Sequence, residues 1–101
     1  PIVFTEEFLL YVPNTFTPDG DEFNNTFKPV IPNGMTLDDY TLTIFNRWGE
    51  VLFESHDVQI GWDGTYQSET VKEGVYTWTI VARGGGDKKP RRMEGHVNML
   101  R

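Results

Sequence analysis

The sequence has no cysteine and only two histidines, His56 and His96, far apart in the chain. Disulfides, cysteine-based zinc sites and cysteine nucleophiles are excluded, and no histidine pair has ligand-like spacing. Apolar runs are short, well below the ~20 residues that a membrane-spanning helix needs, so the chain is not expected to span a bilayer by that route. The start at Pro1-Ile2-Val3 has no Met and no signal-peptide layout, and residues 1–101 read as a single domain excised from a longer chain. Basic residues are scarce at first. Residues 1–82 hold three against 13 acidic side chains, a net of −10, whereas residues 83–101 hold six against two, a net of +4. An overall charge of −6 argues against nucleic acid as a partner. The basic stretch Lys88-Lys89-Pro90-Arg91-Arg92 reads as a solvated hairpin tip on an acidic domain, or as a docking feature.

Aromatics, in contrast, are plentiful at 14%, enough to supply much of a small core. No stretch has a helical period. Alternation dominates, at Tyr40, Leu42 and Ile44, and again through Gly74–Ala82, where Tyr76, Trp78 and Ile80 form one face and Val75, Thr77, Thr79 and Val81 the other. Both faces of that longest run are bulky, and it is expected to be a central strand packed on both sides or beside an aromatic layer. Further strands are expected at Phe8–Val12, at Val51–Phe53 and from about His96 to Leu100, with Val97 and Met99 turned to the core. Gly84-Gly85-Gly86-Asp87 reads as a loop, and Thr36–Asp39 as a short helical turn. The whole is an all-β pattern, an Ig-like antiparallel β-sandwich of about seven or eight strands.

Three elements stand out. Asn46-Arg47-Trp48-Gly49 joins two strand-like runs. Asn46 and Gly49 supply turn geometry, Trp48 is expected to fold back and pin the corner of the sandwich, and Arg47 to stack on an aromatic face. The second element, Gly61-Trp62-Asp63-Gly64-Thr65-Tyr66, reads as a tight turn beside a buried Trp62, with Asp63 accepting N–H bonds and Gly64 easing the turn. An exposed platform of Trp48, Trp62 and Trp78 is the competing reading, and it would make the chain a carbohydrate-binding or adhesive module. Third, Phe16 to Phe27 gathers the oxygen donors Asp19, Asp21, Glu22, Asn24 and Asn25. This is a candidate calcium loop, although Phe23 breaks the EF-hand pattern. The alternative is an Asx-rich turn pinned by Phe16, Phe23 and Phe27. No nucleophile–base pairing is visible, no phosphate-cradling loop precedes a helix, and an enzyme is not expected.

Taken in order, these stretches resemble the gliding motility-associated C-terminal domain, the type B C-terminal sorting domain of the type IX secretion system. The resemblance rests on Val12–Asp21, Asn24–Phe27, Ile44–Gly49 with Phe53-Glu54-Ser55, Gly61–Tyr66, Gly74–Thr77 and Gly95–Arg101. In that family the loop usually reads Asn-Gly-Asp-Gly and then Asn-Asp, whereas here Asp19, Glu22 and Asn25 stand at the changed positions. The resemblance implies a non-enzymatic signal that carries a large N-terminal passenger, an adhesin or an enzyme, across the outer membrane and helps hold it at the cell surface. It also implies two partners, the secretion machinery and an outer-membrane barrel-like protein. Arg47, Trp48, Lys88, Lys89, Arg91, Arg92 and Arg101 are the candidate partner-contacting residues. Asn46, Gly49, Trp62, Asp63, Gly64 and Tyr76 are the expected scaffold.

Overall fold

A computed structural model of the chain describes residues 11–17, 26–31, 37–84 and 90–100. Seven strands lie among these residues, and no helix. They are β1 (Thr15–Phe16), β2 (Leu37–Phe45), β3 (Val51–Ser55), β4 (Thr65–Tyr66), β5 (Glu69–Thr70), β6 (Gly74–Gly84) and β7 (Arg91–Met99). Five form one sheet in the order β1-β7-β6-β2-β3, and β4 with β5 forms a second, two-stranded sheet. Every pairing is antiparallel except that of β1 with β7, which is parallel. The fold is thus all-β and sandwich-like, as the alternating pattern requires.

The central position belongs to β6, the longest strand. Its Trp78, Ile80 and Ala82 are buried, as are Tyr40, Leu42 and Ile44 of β2 and Val97 and Met99 of β7. Period-two alternation places all of these on one face of the sheet. The opposite face carries Thr41 and Thr43 of β2, Val75, Thr77, Thr79 and Val81 of β6, and Arg92, Glu94, His96 and Asn98 of β7, all exposed or half-buried. The strand is therefore packed on one side, beside an aromatic layer, rather than on both.

That layer comes from the connections. Main-chain bonds pair Phe27 with Trp62 in both directions, at 2.7 and 2.9 Å. This bridge lays both side chains, fully buried, over the sheet. Ring centroids lie 5.4 Å apart for Phe16 and Trp62, 5.1 Å for Trp62 and Tyr76 with an edge-on approach, and 6.3 Å for Phe27 and Trp78. Such tilted contacts between large rings provide most of the apolar area that a small domain needs. The indole N–H of Trp62 donates to the Thr65 carbonyl at 3.0 Å, so its burial leaves no orphan donor.

Three expectations need correction. Leu37 to Asp39 belong to β2, paired with Gly84 and Arg83, and not to a helical turn. The cap signal in that stretch is local, and the ladder to β6 outweighs it. Gly84 ends β6 instead of opening a loop. Arg91 and Arg92 begin β7, so they are strand residues and not part of a hairpin tip. Of the expected Phe8–Val12 strand, Tyr11 forms an isolated bridge with Val30 and the residues before it lie outside the described residues.

Candidate functional site

The turn between β2 and β3 is built around the side chain of Asn46. Its Oδ1 accepts from the main-chain N–H of Trp48 and of Glu50, each at 2.9 Å, while its Nδ2 donates to Glu50 Oε1 at 2.8 Å. The main chain adds Gly49 N–H to the Asn46 carbonyl and Asn46 N–H to the Glu50 carbonyl, both at 3.0 Å. Gly49 has φ +85°, a left-handed conformation that side-chain-bearing residues rarely adopt. An Asx turn and a positive-φ glycine together fix the backbone of a four-residue tip, as the sequence led us to expect.

The expectation for Trp48 is overturned. Its residue is 72% exposed, so it does not pin the corner of the sandwich. Turn chemistry dictates the path of the backbone, and this path carries the side chain away from the core. Arg47 does stack on an aromatic face, that of Trp48 itself, with its guanidinium carbon 4.4 Å from the ring centroid. The tip therefore presents a pre-organised cation–indole pair to solvent. Beside it, Val51 lies opposite Phe45 on the sheet face turned away from the core, and Val51 is half-exposed.

The other two tryptophans separate from Trp48. Trp62 is fully buried and Trp78 nearly so, which removes the three-tryptophan platform. The turn after Trp62 forms as expected. Asp63 Oδ1 accepts from the Thr65 N–H at 3.1 Å and from the Thr65 hydroxyl at 2.6 Å, and Gly64 takes φ +82°. Tyr76 packs edge-on against Trp62, and its hydroxyl donates to the Lys72 carbonyl at 2.5 Å.

Among the charged candidates, Arg92 lies 3.3 Å from Glu94 on the outer face of β7, while Arg91 is half-buried beside it. Lys88, Lys89 and Arg101 lie outside the described residues, as do Asp19, Asp21, Glu22, Asn24 and Asn25 of the calcium loop. Among the described residues no group of three or more His, Asp and Glu is placed to hold a metal, and no helix is long and apolar enough to cross a membrane.

One arrangement was not legible in the sequence. His56 Nδ1 lies 3.1 Å from the Thr41 hydroxyl, and its Nε2 lies 2.9 Å from Glu54 Oε2. Glu54 is a local neighbour two residues before His56, but Thr41 is brought to it by the β2–β3 pairing, a long-range fact that spacing does not reveal. The connectivity is that of a hydroxyl–imidazole–carboxylate relay. Its His and Glu side chains are 67% and 52% exposed, whereas catalytic relays act where water is excluded.

A family model described as the CHU_C type IX secretion signal domain matches residues 10–99, almost the whole chain. No curated protein and no solved structure matches it.

Proposed function

The chain belongs to the type IX secretion signal domain family, and from that premise we propose that it is the C-terminal sorting domain of a larger exported protein and that its Arg47–Trp48 tip contacts the machinery. A sorting-signal role follows from the family, which is one of secretion signals and not of enzymes, and it implies export and display at the cell surface. The passenger, an adhesin or an enzyme, lies N-terminal to the domain. A barrel-like outer-membrane protein receives the domain and retains the passenger at the surface.

The observation that carries the contact site is the exposure of Trp48 on a turn that needs no partner to hold its shape. Exposed, rigid Trp and Arg side chains are the residue types that dominate binding energy when a partner covers them, because little conformational entropy is then lost. The test is a fusion of residues 1–101 to a signal peptide and a fluorescent passenger in a host with the secretion system. The wild-type fusion reaches the surface, and the Arg47→Ala, Trp48→Ala double variant accumulates inside while remaining folded. Equal export of both fusions would remove the tip from the contact surface, and retention of the wild-type fusion together with glycan-array binding would favour the carbohydrate-binding reading. The loop at 19–25 has its own readout. If it takes up calcium, the melting temperature rises with calcium by mass action, and Asp21→Ala abolishes the rise.

A further inference from the structure

Strand β7 is hydrogen-bonded along its whole length to β6, from Arg91 opposite Ala82 to Met99 opposite Gly74. Its other edge is paired with β1 only at Asn98 and Met99. The Asn98 N–H donates outward to the Asn14 carbonyl and the Leu100 N–H to the Phe16 carbonyl. Backbone groups alternate along a strand, so Arg92, Glu94 and His96 also point their N–H and C=O groups away from β6. Among the described residues the groups of Arg92 and Glu94 and the N–H of His96 have no partner there, while the His96 carbonyl accepts from the indole N–H of Trp78 at 3.3 Å. Upstream, Pro90 has no N–H and ends the donor row.

We propose that this edge pairs antiparallel with the same edge of a second copy of the chain, centred on Met93, joining the two five-stranded sheets into one. The charge pattern selects both the partner and the register. On the β6 side Arg92 faces Val81 and Glu94 faces Thr79, both uncharged, so within one chain the two charges meet each other along β7, at 3.3 Å and exposed, and neither is matched across that ladder. With Met93 opposite Met93 of the second copy, Arg92 faces the second copy's Glu94 and Glu94 its Arg92. Two oppositely charged cross-strand pairs form at once. These are also the residues whose main-chain groups point outward, so each pair exchanges both of its hydrogen bonds. Moving the centre to Glu94 or to Arg92 sets like charges face to face. A centre between two residues would oppose outward-pointing to inward-pointing groups and is disallowed. Met93, which packs partly buried against the core, would meet its counterpart on the apolar side of the joined sheet.

The test uses sedimentation of the purified chain over a concentration series at low and high salt. A reversible dimer is expected that weakens as salt rises. Arg92→Glu and Glu94→Arg each oppose like charges in both pairs and should raise the dissociation constant by about tenfold or more. The Arg92→Glu, Glu94→Arg double variant restores opposite charges and should return it to near the wild-type value. Circular dichroism of each variant separates loss of pairing from loss of fold. Amide exchange adds a readout at single residues: the N–H groups of Arg92, Glu94 and His96 should slow as concentration rises. A chain that stays monomeric throughout, a dimer indifferent to the single substitutions, or outward amides already protected at the lowest concentration would each overturn the proposal.

Discussion

The indole of Trp78 lies across Gly95 on the neighbouring strand, so that a Cβ placed on Gly95 would stand 2.8 Å from the indole Cζ2. The ring cannot swing aside freely. It is buried among Phe27 and the β2 side chains, and its N–H donates to the His96 carbonyl at 3.3 Å. Gly95→Ala should therefore destabilise the domain by about 1–3 kcal/mol through overpacking, despite the entropy that alanine removes from the unfolded chain. A denaturant midpoint unchanged by the substitution would show that the indole relaxes at little cost.

Trp62 and Trp48 should behave as opposites. Trp62→Ala empties the centre of the aromatic cluster and should cost about 3–5 kcal/mol. Trp48→Ala removes only an exposed ring and should shift stability by no more than about 0.5 kcal/mol. Chemical denaturation of both variants checks the pair, and the fluorescence lost with Trp62 should be the blue-shifted component.

The β2–β3 tip owes its shape to one side chain. Asn46→Ala leaves two main-chain N–H groups without their acceptor and should cost about 1 kcal/mol, while Asn46→Asp keeps that acceptor but exchanges the bond to Glu50 for carboxylate repulsion and should fall between wild type and Asn46→Ala. Gly49→Ala forces a Cβ into a left-handed conformation and should cost about 1–2 kcal/mol. Melting curves rank the three. If Asn46→Ala proves as stable as wild type, the Asx turn is dispensable.

Tyr40 gives the domain an alkaline limit. Burial, and secondarily the Asp57 carboxylate, pushes its phenol well above the usual tyrosine range. The fold holds the protonated form more tightly than the unfolded chain does. That contribution is complete below the unfolded pKa of about 10 and is lost progressively as pH rises above it. The hydroxyl is buried and has no hydrogen-bond partner among the described residues, so Tyr40→Phe should be neutral or stabilising by about 1 kcal/mol near neutral pH. The substitution should also flatten the fall in stability above about pH 10, measured as denaturant midpoints on either side of that value. A steeper fall in the variant would refute this account.

Much of the main sheet could be read from local pattern. The buried sides of β2 and β6, and Val97 with Met99 in β7, follow from period-two alternation, because burial on one face imposes it. The tight turns at Asn46 and Asp63 were legible because the residues that make them also name them. The direction of Trp48 was not, since a turn signal describes the main chain and says nothing of where its largest side chain comes to rest. The β4–β5 hairpin was also hidden. Its turn places Gln67 at φ +53° and Ser68 at φ +71°, where Asn and Gly are the usual signals, so no such signal marks it. Arg91 and Arg92 read as a solvated tip because a run of charge does not distinguish a loop from the end of a strand whose outer side is unpaired among the described residues. The approach of Thr41 to His56 depends on strand register, which only the assembled sheet supplies.

The parallel partnership of β1 with β7 carries a consequence for timing. β7 lies between β1, among the earliest described residues, and β6, which it follows directly. Until residues 91–99 exist, Phe16 has no strand to lie against and the sheet has a gap where Val97 and Met99 belong. A polypeptide interrupted between β6 and β7 can form the β2–β3 hairpin and pair it with β6, but it cannot seal its interior, and one interrupted earlier lacks β6 as well. Closure is thus withheld until translation has passed the last strand, and a closed domain is itself a record that everything before it was synthesised.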